Sequence, residues 1–149
     1  MITGNLNNLQ LHETWTENDA SQHARSAFPL AGAVGSENSA MVYFELQPGD
    51  HLGRHTDSAE EVLLILQGTV EVSVGEEQGR ISQGEFALVP TMIPHDLRNV
   101  GQETVKVLGF FGGANNIVAT FDEVWLPNKS RVVDTAQVFG QAVMQASQA

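Results

Sequence analysis

The 149-residue chain contains no cysteine, which excludes disulfides, zinc–thiolate sites and a thiol nucleophile. Basic residues are scarce: seven Lys and Arg stand against 18 Asp and Glu, for a formal charge of −11. The seven are scattered between Arg25 and Arg131, so no cluster exists to neutralise phosphates. Nucleic acid and anionic membrane surfaces are thereby disfavoured as partners. No apolar run approaches the ~20 residues that a bilayer-spanning helix needs. The opening stretch, MITGNLNNLQLHETW, lacks the basic and apolar regions of a secretory signal. A soluble, cytoplasmic protein is the resulting expectation, and the length predicts one domain with a single core.

What the chain does have is short runs of β-branched and aromatic residues, punctuated by Gly, Pro and Asn. Residues 40–46, 61–66, 69–74, 80–82, 86–89, 95–99 and 105–111 read as strands. Turn signals recur about every 8–12 residues, the pattern of an antiparallel sandwich or barrel. The flanks are less clear. Residues 1–25 are polar and without period, an arm anchored by Leu9, Leu11 and Trp15, with His12 and His23 on the surface. A short strand and turn are expected within 26–38. After Gly112-Gly113, residues 117–121 suggest another strand and Val124-Trp125-Leu126 an apolar anchor. Asp134 is placed to cap a terminal helix through Val138, Ala142 and Met144. The expected division is therefore an arm with the first strand or strands at 1–38, a barrel core at 39–111, and an extension at 112–149. That extension would pack on the barrel or on a second subunit.

One stretch is chemically unusual. Between His51 and Glu61 lie two histidines, an aspartate and two glutamates, directly ahead of the run Val62-Leu63-Leu64-Ile65-Leu66. Ionisable groups beside such a run are costly unless compensated, and a metal ion is a common compensator. Side chains two apart on a strand share a face, so His55 and Asp57 point the same way, as does His51 if no bulge intervenes. Glu61 opens the next strand across a turn, and His95 begins a later one after a Pro-rich segment.

These residues resemble the cupins. The first cupin motif has Gly, His, His, Glu and Gly at the spacing occupied here by Gly49, His55, Asp57, Glu61 and Gly68. The second has Gly, Pro, Gly, His and Asn where this chain has Gly84, Pro90, Met92, His95 and Asn99. Asp57 thus replaces a metal-binding His, and Met92 replaces a glycine, which predicts a turn without positive φ. The resemblance covers about 39–111 and implies an all-β, double-stranded β-helix (jelly-roll) barrel. It further implies one divalent metal ion (Fe, Mn, Ni, Co or Zn) on His55, Asp57, Glu61 and His95, with His51 the alternative to Asp57. The substrate would be a small molecule in the barrel mouth, with His51, Phe44 and Phe110 as candidate lining residues. The expected activity is a dioxygenase-type oxidation in which Glu61 relays a proton. The alternatives are a metal-dependent isomerase or lyase of a small carbonyl compound, with His51 or Asp57 as base, and a non-catalytic binding module. A homodimer is expected, because small cupins commonly pair.

Overall fold

The computed structural model describes residues 1–137. Its strands are β1 (His12–Trp15), β2 (His23–Leu30), β3 (Ser39–Leu46), β4 (His55–Asp57), β5 (Glu61–Gln67), β6 (Thr69–Val74), β7 (Glu77–Ser82), β8 (Phe86–Val89), β9 (His95–Asn99), β10 (Val105–Gly112), β11 (Val118–Trp125) and β12 (Ser130–Asp134). They form two six-stranded antiparallel sheets, ordered β1-β2-β3-β10-β5-β8 and β12-β11-β4-β9-β6-β7. The two sheets face each other as a jelly roll. Among the described residues no helix is long and apolar enough to cross a membrane.

The period-2 pattern decides what lies between the sheets. Leu63 and Ile65 on β5, Val70 and Val72 on β6, Leu97 on β9, and Val105 and Val107 on β10 all point inward and are buried. Phe44 and Leu46 from β3 and Phe121 and Trp125 from β11 complete that cluster. At roughly 1.5–3 kcal/mol for each fully buried large apolar side chain, it supplies the main drive for closure.

The flanks differ from the sequence-based expectation in detail. β1 and β2 extend the first sheet from within the polar N-terminal segment. β12, which sequence pattern does not reveal, pairs with β11. β7 begins at Glu77 rather than at residue 80, because Gly75 takes φ 59 and closes a two-residue hairpin in which Val74 faces Glu77. The Asp134 carboxylate accepts the Ala136 N–H at 3.0 Å, as a helix cap would. The continuation of that helix through Val138, Ala142 and Met144 lies outside the described residues. Met92 corrects an expectation: it does adopt positive φ, at 62°. That conformation lets its N–H reach the Asp57 carbonyl at 2.9 Å, pinning the turn to β4.

Candidate metal centre

Four ionisable side chains from three strands meet at the inner face of the barrel. β4 contributes His55 and Asp57, β5 contributes Glu61 and β9 contributes His95; all four are buried, His95 completely. The β4–β9 pairing sets His55 directly opposite His95, with ring centroids 4.1 Å apart. Each imidazole is oriented by its own backbone: the Nδ1–H of His55 donates to the Gly53 carbonyl at 2.7 Å, and that of His95 to the Ile93 carbonyl at 2.9 Å. Both Nε2 atoms are thereby turned toward the carboxylates. His95 Nε2 lies 3.0 Å from Asp57 Oδ2 and 3.4 Å from Glu61 Oε1, and His55 Nε2 lies 3.7 Å from Asp57 Oδ2.

Two of these atoms are orphaned. Although 3.0 Å apart, His95 Nε2 and Asp57 Oδ2 do not have hydrogen-bond geometry, and neither has another partner. A buried polar atom left this way costs about 1–3 kcal/mol. The donor atoms of His55, Asp57 and His95 all lie within 4.8 Å of one another, an arrangement that can hold a metal ion. A cation between them would satisfy both orphans, so the residues fit the group. Glu61 stands at the edge of this triad, and its Oε2 packs against the bare Cα of Gly109 on β10, where any Cβ would collide with it.

The electrostatics agree. Burial lowers the His55 pKa, and the neighbouring His95 pushes the same way, which favours the neutral form that a metal ligand needs. Burial raises Glu61 to about 7, partly opposed by His95. His95 moves up to about 10, because Asp57 and Glu61 together outweigh its own desolvation. A proton on His95 thus stands in for the cation between two buried carboxylates.

The site opens into a cavity of about 440 Å³, which His55, Asp57 and Glu61 line from one end. Phe44, Leu52, Phe111, Phe121 and Trp125 make up much of its wall. Phe121 stacks on His55 with centroids 4.4 Å apart and holds the ring from the side away from His95. The N-terminal segment forms part of the mouth through Gln10, His12 and Thr14, which alternate onto one face.

Two residues expected at the pocket are elsewhere. Phe110 points outward and is 42% exposed, because the inward parity of β10 runs through Val105, Val107, Gly109 and Phe111. Phe111 is the cavity residue. His51 neither lines the cavity nor approaches the cluster. Gly53, at φ 100, breaks the extended backbone that would have given His51 the parity of His55. Its Nδ1 instead meets Asp96 at 2.7 Å and its Nε2 meets Asp19 at 2.8 Å.

His51 nevertheless acts on the site at one remove. Asp96, which it holds, accepts the Gly53 N–H at 2.7 Å, and the Gly53 carbonyl orients His55. A second imidazole repeats the design: His23 lies between Glu13, at 2.9 Å, and Asp50, at 2.8 Å. Both clasps join the N-terminal segment to the barrel. The His51 pKa is raised by Asp96, against burial and with help from Asp19; that of His23 is raised by Asp50, against burial and with help from Glu13. A group raised in the folded state contributes stability that is full below its unfolded pKa, near 6.5, and is lost as pH climbs through the folded value. The metal-free protein should therefore lose stability above pH 6.5, with a slope that His51→Asn reduces. Denaturant unfolding of both proteins across that range checks this, and identical slopes would contradict it.

Comparison with known proteins bears on the fold that carries these residues. The cupin-domain sequence profile matches residues 42–111. Among curated proteins, no sequence matches. Among solved structures, the cupin domain of Schizosaccharomyces pombe Cnp3 is similar at TM-score 0.61 and 19% identity, covering 75% of this chain and 74% of that one. A candidate sugar phosphate isomerase from Acidithiobacillus ferrooxidans has the same score and identity and covers 88% of both chains. The formate complex of Lactobacillus farciminis oxalate decarboxylase gives TM-score 0.61 at 22% identity over 72% of this chain and 32% of that one. At these identities the structural likeness concerns the fold alone.

Proposed function

This chain belongs to the cupins, and from that premise we propose that it holds one divalent metal ion between His55, Asp57, Glu61 and His95 and acts as a dioxygenase-type enzyme on a small organic molecule in the barrel. The observation that carries the reading is the orphaned pair, His95 Nε2 and Asp57 Oδ2, with His55 and Glu61 beside it. Two nitrogens and two carboxylate oxygens suit divalent iron, manganese, nickel, cobalt or zinc. When bound, such an ion supplies open positions at which a substrate oxygen and dioxygen are held and polarised. The chain's own residues do the rest. Gly53 and Ile93 fix the imidazole tautomers, a second layer of hydrogen bonding on which ligand orientation depends. Phe44, Phe111, Phe121 and Trp125 give the substrate an apolar wall. Glu61, buried at the inner end of the cavity, is placed to accept or return a proton beside the substrate.

The same Glu61 favours a second reading, an isomerase or lyase working by proton transfer on a small carbonyl compound. In that case Glu61 is the base, since both ring nitrogens of His51 are engaged. An oxygen electrode separates the two. With ferrous ion and a panel of catechols and β-diketones, oxygen uptake should require both metal and organic compound. Deuterium exchange into the compound without oxygen uptake would replace the first reading with the second. If neither occurs, a ligand-binding role remains.

The homodimer is proposed on a different face. Phe86 and Leu88 on β8, 68% and 52% exposed, lie in register with Leu64 and Val62 on β5 and then with Leu108 and Phe110 on β10. A continuous apolar row across three strands marks a contact surface, and a second copy of this chain is the proposed occupant. Size-exclusion chromatography should give a dimer that Phe86→Lys dissociates; a wild-type monomer would refute the proposal.

A further inference from the structure

The cavity wall carries information about the substrate that the fold does not. Lys and Arg are absent from the described residues that line it, and residues 138–149 contain neither. Its ionisable groups are His12 in the exposed mouth segment, together with His55, Asp57 and Glu61 at the inner end. A divalent ion there would be balanced by the two carboxylates, leaving a centre near neutral overall. An anionic ligand would therefore bring further negative charge into a buried site whose wall offers no Lys or Arg to pair with it. Apolar ligands meet the opposite situation, because Phe28, Phe44, Phe111, Phe121 and Trp125 present ring surface around a space of about 440 Å³. That volume is within the usual ~300–1,000 Å³ of small-molecule pockets.

We infer that the cavity takes an uncharged, largely apolar ring compound bearing one or two oxygen donors, and discriminates against small carboxylates and phosphate esters. The inference rests on the barrel being the ligand site proposed above, and names the class of molecule that this site accepts. It also sets this chain apart from its structural neighbours, two of which are named for oxalate and sugar phosphate, both anions.

The test is a matched pair of probes, 2′-hydroxyacetophenone and salicylate, which share a ring and an ortho hydroxyl but differ in charge at neutral pH. Calorimetric titration is run on the zinc-loaded and on the chelator-treated protein. The uncharged probe should bind at least about tenfold more tightly than salicylate to the chelator-treated protein, where the carboxylate of salicylate would meet those of Asp57 and Glu61 in a wall without Lys or Arg. Loading with zinc should strengthen binding of the uncharged probe further. Salicylate binding the chelator-treated protein as tightly or more tightly, or neither probe binding at millimolar concentration, would overturn the inference. If zinc is not taken up but the preference for the uncharged probe persists, the metal reading fails while the charge selection stands. Val133→Lys places a cation in the wall, and should shift the ratio of the two affinities at least about tenfold toward salicylate. An unchanged ratio in the folded variant would show that wall charge does not select the ligand.

Discussion

His95→Ala should abolish divalent-metal binding in the micromolar range and leave the metal-free protein less stable than the wild type. No part of His95 reaches solvent, and its Nε2 lies 3.0 Å from Asp57 and 3.4 Å from Glu61. Removing it takes away one of two nitrogen donors. The loss should exceed the ~10–100-fold that follows removal of a mere hydrogen-bond partner of a ligand. The stability effect has a separate cause. In the metal-free protein the raised pKa of His95 keeps it protonated between two buried acids, and deleting one partner of such a pair typically costs ~3–5 kcal/mol. A raised group contributes fully below its unfolded value near 6.5 and loses that contribution as pH climbs toward about 10, so the stability deficit of the variant should be larger at pH 5 than at pH 8. Metal titration together with melting curves at pH 5 and pH 8 tests both effects.

Gly109→Ala should damage the site without touching a donor atom. A Cβ at this position would collide with the Glu61 carboxylate and approach Val42 Cγ1 to 2.7 Å. Glu61 is buried and Val42 is partly buried against the core, so the expected cost is ~1–3 kcal/mol, as for other overpacked cores. Glu61 must then swing away from His95, while His55, Asp57 and His95 keep their backbone-fixed orientations. Metal affinity should fall less than in His95→Ala, whereas any turnover dependent on Glu61 should fall by the ~10²–10⁴-fold that a general acid–base group contributes. Wild-type affinity and turnover in Gly109→Ala would mean that Glu61 has no part in the site.

Much of this was legible in the residues themselves, for reasons that can be localised. The strand at 69–74 alternates Val70, Val72 and Val74 against Glu71 and Ser73, and the structure reproduces its bounds because one face is buried and the other solvated. The approach of His55 and His95 follows from strand parity and the turns that flank them. Edge strands were harder. β1 and β12 bury little, so no alternation was imposed on their sequences. His51 misled because parity holds only along extended backbone, and Gly53 interrupts it. Phe110 and Phe111 are told apart by parity alone: Val105 and Val107 fix Phe111 as the inward residue and Phe110 as the outward one. Gly109 was readable but unread: a glycine on the inward face of an apolar strand signals the close approach of another group, here Glu61. Met92 was not readable, since no local rule predicts a left-handed methionine; only its bond to the Asp57 carbonyl explains it.

The most direct check is the metal content of untagged protein after equilibration with a divalent cation and gel filtration, measured beside His95→Ala. One ion per wild-type chain and none in the variant is the predicted result. Equal occupancy in the two proteins, or an empty wild type, would contradict a centre built from imidazoles 55 and 95 and the carboxylates between them.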